Sequence, residues 1–180
     1  MVSPQTLSEA DRRCVAAWAA DCAERALPLF TAEAPDDGRP LDGIARARAF
    51  SRGELDAAGE IRRRLVAGRA ASAVTSPAAK AAAWAAGQAS GVAHMGAHAL
   101  GAAAYAAKAV SLAAPAADRA GALEREVVAQ VALLDPQVRA ALRQLPALGA
   151  DSAGPLGPGL LSSGVLADVV RALQAEVGTA

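Results

Sequence analysis

The sequence has few of the residues that usually reveal a reaction. Aromatics make up 3% of its 180 residues, and it carries two cysteines and two histidines. No glycine-rich phosphate loop, paired CxxC or carboxylate dyad occurs, which removes the commonest local signatures of phosphoryl-transfer, dithiol and acid–base sites. Charge of one sign is missing too. Eighteen basic residues balance eighteen acidic ones, eleven of each up to Ser76 and seven of each from Pro77 onward. With no basic patch and no acidic block, neither nucleic acid nor an anionic membrane is an expected partner. Arg62–Arg63–Arg64 points three ways round a helix and reads as a solvated face.

A further absence is local. From Ala81 to Ala107, 27 residues pass without Asp, Glu, Lys or Arg. That length could cross a bilayer. Its alanines and glycines, interrupted by Gln88 and two histidines, are much less lipophilic than leucine or isoleucine, so the stretch reads as a core helix. The opening residues lack the basic-then-apolar pattern of a signal peptide. Cys14 and Cys22 lie eight apart on one expected helix, about 12 Å along its axis, too far for a disulfide. Reduced thiols without an export signal point to the cytoplasm. No strand-length alternation of β-branched residues is present.

What is abundant is alanine, 52 residues, in a chain long enough for one core. Alanine is the best helix former and lets helices approach closely. The expected fold is all-α: a single compact domain of six to seven packed helices around an alanine- and glycine-rich buried helix at about 77–114. A helical domain over 1–145 is followed by a Gly/Pro-rich flexible connector at 146–162 and a C-terminal helix at 163–180.

Ser8 reads as the cap of the first helix, with Glu9/Arg13 and Asp21/Arg25 as i,i+4 ion pairs and Pro28 as a kink or restart of the helix near Leu27. Pro40 starts a second helix that ends at Ser51–Arg52–Gly53. A third runs from Glu54 to about Ala73 with Leu55, Ala58, Ile61 and Leu65 inward, and Thr75–Ser76–Pro77 opens the long fourth. Pro115 begins a fifth with Leu123, Val127, Val131 and Leu134 on its apolar face. Asp135–Pro136 begins a sixth, and a last helix covers about Ser163 to Val177.

The long helix carries a stripe at alternating steps of four and three: Lys80, Trp84, Gly87, Gly91, His94, His98, Gly101, Tyr105, Lys108. Its glycines predict a closely approaching neighbour. His94 and His98, four apart, have the spacing of helical metal ligands, but further ligands would have to come from Glu54, Glu60, Asp21 or Cys22 on other helices. They read as weak metal candidates, and more simply as structural histidines or, with Trp84 and Tyr105, as the lining of a groove. No cofactor is expected. Cys14 and Cys22 fall on an apolar helix face, where a thiol is inert. Two polar features remain: Asp36, Asp37 and Arg39 in the turn between Pro35 and Pro40, and Arg52 with Glu54 around Gly53. Exposed loop residues on a rigid scaffold are where partners are gripped.

Four segments, LSEADRRCVAAWAADCAERALPLF, PDDGRP, ARAFSRGE and AHMGAHALGAAAYAAKAV, resemble the helical, immunity-five-like putative immunity protein family of bacterial polymorphic-toxin systems, frequent in actinomycetes. The resemblance runs from Leu7 to about Leu145. It implies a non-enzymatic cytoplasmic protein that neutralises a cognate toxin domain by direct binding, and it carries over no catalytic residue. Asp36, Asp37, Arg39, Arg52 and Glu54 are the expected partner contacts, with a homodimer left open. The alternative is a small-molecule-binding protein or metal-dependent enzyme with its pocket around His94 and His98.

Overall fold

Ser8 accepts a hydrogen bond from the Asp11 N–H and starts α1 (Glu9–Thr31), whose first turn carries Glu9 and Asp11 at the positive end of the helix dipole. The computed structural model describes residues 3–178, and among them no strand occurs. After α1 come α2 (Arg39–Ser51), α3 (Ala57–Arg63), the single turn α4 (Val66–Arg69), α5 (Pro77–Gly91) and α6 (His98–Ala113). The chain continues with α7 (Arg119–Ala132), α8 (Pro136–Arg143) and α9 (Gly164–Val177). Eight of these described helices have seven or more residues, and all pack round one hydrophobic core.

The long central helix expected at 77–114 is a hairpin of two helices. Helix α5 stops at Gly91, residues 92–97 turn, and α6 returns antiparallel against it. The N-terminal segment makes this bend. The N–H groups of Gly96 and Ala97, which a continuous helix would use internally, donate to the carbonyls of Thr6 and Gln5 at 3.1 and 3.0 Å. Leu7, held at φ 61°, covers Gly96 so closely that a Cβ there would lie 2.4 Å from Leu7 Cδ1. The stripe therefore folds onto itself. Gly91 faces His98, Gly101 faces Gln88, and the rings of Trp84 and Tyr105 lie 6.4 Å apart. A helical period survives a bend that keeps both halves in phase, so periodicity alone reads the two helices as one.

Small residues set the packing. Alanines of α5 and α6 are buried on most of their circumference, against α1 on one side and, for α6, against α7 and α9 on the other. Gly87 meets α4 at Gly68: a Cβ on Gly87 would sit 2.8 Å from the Gly68 Cα. The expected glycine contact is thus present, backbone to backbone.

Other local expectations change. The third helix breaks into α3, α4 and a 3₁₀ turn at Ala70–Ala73, leaving Ala58 and Leu65 exposed. Pro28 does not end α1, which continues to Thr31. A 3₁₀ turn, Ala116–Asp118, precedes α7. The expected Asp21/Arg25 pair is replaced by tertiary ones: Arg48 bonds Asp21 and Glu24, while Arg25 grips Glu126 with two bonds of 2.8 and 2.9 Å. That bidentate grip explains α7. Its most buried row is Ala122, Glu126 and Gln130, because the Glu126 carboxylate meets Arg25 and the Gln130 Nε2 donates to the Ala103 carbonyl and to Glu126, although Gln130 Oε1 has no partner; Leu123, Val127 and Val131 flank it half-buried.

The Gly/Pro-rich stretch is tied to the N-terminal segment by Gln5. Its amide donates to Asp151 Oδ2 and the Ala153 carbonyl, both at 2.7 Å, and accepts from the Leu156 N–H at 2.9 Å. Leu156 is fully buried. Beyond it, α9 lays Leu166, Val169, Val170 and Leu173 against α6, α7 and α8.

Candidate functional site

The hairpin stripe opens on one side into a groove. Its first part, about 460 Å³, lies between α4 and the bend and is lined by Arg64, Arg69, Trp84, Gln88, His94 and His98 among others. A second part, about 410 Å³, shares Trp84 and Gln88 and continues past Tyr105 to Lys80, Lys108 and Leu160. Both fall in the usual size range of ligand clefts. Trp84 forms the ridge between them and is 45% exposed, unusual for so large an apolar side chain in a chain this poor in aromatics. Leu65 and Leu160, 56% and 75% exposed, stand at the two ends.

All four groove candidates from the sequence therefore meet here, by a different route from the one expected. His94 is in the bend, not on a helix, so the i,i+4 spacing to His98 does not present two imidazoles from one helical face. Their ring centres are 6.5 Å apart. His98 Nδ1 bonds Gln88 Oε1 at 2.8 Å. An amide oxygen only accepts, so Nδ1 carries the proton and Nε2 keeps a lone pair. Gly101 makes the arrangement possible, since a Cβ there would lie 2.3 Å from that same oxygen. Burial first, then the neighbouring His94 and Arg64, pushes His98 down to about 4, so it is neutral at pH 7. His94 is lowered as well, by burial, Arg64 and Arg12. Tyr105 is raised by burial.

The other ligands considered for a metal are engaged elsewhere. Glu60 is gripped by Arg46, Asp21 by Arg48 and Glu54 by Arg52, while Cys22 is fully buried in the core. No group of three or more His, Cys, Asp or Glu side chains converges among the described residues. No described helix is long and apolar enough to cross a membrane.

The two polar features sit at opposite ends of α2, separated by its 13 residues, about 20 Å. At the start, Arg39 bonds both oxygens of Asp37, which lowers the Asp37 pKa, while Asp36 stays exposed. At the far end, Arg52 and Glu54 pair in the open on either side of Gly53, whose φ is 80°. The structure does not bring the two together.

Sequence reasoning missed Arg64, Arg69 and Gln88. Gln88 had a visible signal, the one amide in an uncharged helix. The two arginines did not, because the expected single helix over 54–73 gave no reason to place them beside Trp84. The comparisons with curated proteins and with solved structures give no match. Residues 5–137, by contrast, match a family over well more than half of the chain. The chain belongs to the Imm-5 like putative immunity protein family.

Proposed function

We propose that this protein is a non-enzymatic, cytoplasmic binding protein that neutralises a cognate toxin domain by direct contact. Its membership of the immunity-protein family is the observation that carries this reading. The fold supports it in a general way: short helices packed through alanine and glycine make a rigid body, which loses little entropy on docking a partner. Two surface features border α4 and lie within the reach of one interface of ordinary size. One is the Asp36–Arg39 turn, beside the small cleft that Arg39 shares with Val66 and Ala67; the other is the groove over Trp84. Arg52 and Glu54, at the far end of α2, contribute from the rim.

The test is co-expression in a bacterial host with the toxic open reading frame encoded beside this gene. Protection by the wild-type chain, with a complex that co-elutes on size exclusion, is the expected result. Charge reversal at Asp36, Asp37 or Arg39 weakens protection and leaves Tm nearly unchanged. Failure of the wild type to protect or to bind that protein overturns the reading.

The cleft beside His94 and His98 favours a second reading, a small-molecule or metal site. Stoichiometric zinc or iron in the purified protein would support it over the first.

A further inference from the structure

The groove is distinguished by its charges. Among the residues lining its two parts are Arg64, Arg69, Lys80 and Lys108, and none is acidic. Elsewhere nine arginines hold carboxylates, among them Arg13, Arg25, Arg39, Arg46, Arg48 and Arg52, while Arg12, Arg62, Arg119, Arg139 and Arg143 form no ion pair among the described residues. None of the four groove cations forms an ion pair among the described residues. Arg64 donates to the Ile61 carbonyl, which leaves its positive charge uncompensated. Glu33, whose carboxylate feels Lys80, is occupied by the N–H groups of Thr75 and Ser76 at the start of α5. A chain with no net charge thus places four unpaired cations and no carboxylate along one apolar cleft. Burial is the main cause of the lowered pKa values of His94 and His98, and Arg64 adds to both.

The apolar surface has the same layout. Leu65, Trp84 and Leu160 are exposed in sequence along the cleft, with cations on either side of the Trp84 ridge. From the level of Lys80 to that of Gly91 the cleft follows twelve residues of α5, about 16 Å, which matches about five residues of extended chain. A nucleotide is the weaker fit, because the cations are split between two ends with no glycine-rich loop to cradle a phosphate between them.

We propose that this groove is the docking site for an acidic segment of the partner polypeptide. That segment lays an aromatic or aliphatic side chain against Trp84 and places carboxylates at Arg64 and Arg69 on one side and at Lys80 and Lys108 on the other. The inference rests on the neutralisation reading and specifies which surface of the toxin is held.

The experiment pans a random phage-displayed peptide library against the full chain, then measures labelled peptides by fluorescence anisotropy. The expected consensus has two or more Asp or Glu residues around one aromatic or leucine. Affinity falls by about tenfold or more in Trp84→Ala, in the Arg64→Glu/Arg69→Glu pair and in Lys80→Glu/Lys108→Glu. It also weakens as salt rises from about 0.05 to 0.5 M. These side chains are at the surface, and an unchanged Tm confirms that each variant is folded. No enrichment, a neutral or basic consensus, or binding indifferent to all three variants overturns the proposal. Displacement of the peptide by ATP at lower concentration than unlabelled peptide also overturns it, in favour of a nucleotide. The co-expression assay separates this proposal from the reading beneath it. Groove variants that lose peptide binding yet protect as well as wild type sink the groove as the toxin contact and leave neutralisation standing. A wild-type chain that binds acidic peptides but fails to protect sinks neutralisation instead.

Discussion

His98 and Gln88 are joined across the α5–α6 hairpin by a single hydrogen bond of 2.8 Å, and Gly101 is the residue that leaves room for it. The bond needs a proton on His98 Nδ1 and Gln88 turned inward, and it fixes the lone pair of Nε2. It therefore links the closure of the hairpin to the polarity of the groove above it.

The burial of His98 makes stability depend on pH. His98 titrates at about 4 when folded, against an ordinary value of 6.5. The unfolded chain binds the proton more readily between those values, so stability is full above about pH 6.5 and declines as pH falls towards 4. The integrated loss is roughly 3 kcal/mol. His98→Asn, which keeps a donor for Gln88 and cannot titrate, should flatten that part of the curve. Urea midpoints at pH 7 and pH 4.5 check it, and equal slopes for both proteins would refute the assignment.

Gly87 and Gly68 bring two backbones together, and neither backbone can yield as a flexible side chain would. Gly87→Ala should cost about 1–3 kcal/mol by overpacking, although alanine is the better helix former. Gly38→Ala, where a Cβ would meet nothing within 4 Å, should be nearly neutral. The difference in Tm between the two variants measures the contact.

The two thiols differ. Cys22 is fully buried, and burial, with Glu126 and Asp21 next, raises its pKa well above the ordinary value. Cys14 is free as well but only partly buried, beside Arg13 and Ser51, so the two thiols are shielded to different degrees. A thiol reagent should modify Cys14 in the native protein and Cys22 only after unfolding. Rapid native reaction of Cys22 would contradict its place in the core.

Gln5 holds the 151–156 loop through three hydrogen bonds. Gln5→Ala leaves the Leu156 N–H without its partner and should cost about 1–3 kcal/mol. Limited proteolysis should then cut first between Gly149 and Gly159, whereas the wild type resists there. Identical cleavage patterns would show that the clamp is not what orders this segment.

How much was legible in the sequence follows from which forces act locally. Helix type, the Ser8, Ser76 and Asp135 caps, the Gly53 terminator and the apolar face of α9 depend on residues within a turn or two of one another, and all are present. The stripe from Lys80 to Lys108 was readable as a set because a helical period marks a shared face. Only the tertiary structure decided that the face closes on itself, since the bend at residues 92–97 is made by the carbonyls of Gln5 and Thr6, some 90 positions away. The same holds for charge. Spacing predicts the Glu9/Arg13 pair, which is formed. It cannot foresee that Arg25 leaves its own helix for Glu126, or that Arg64 and Arg69 arrive beside Trp84 with no carboxylate to meet them. Local propensity determined the helices; long-range hydrogen bonds and close glycine contacts decided how they meet, and so where the groove opens.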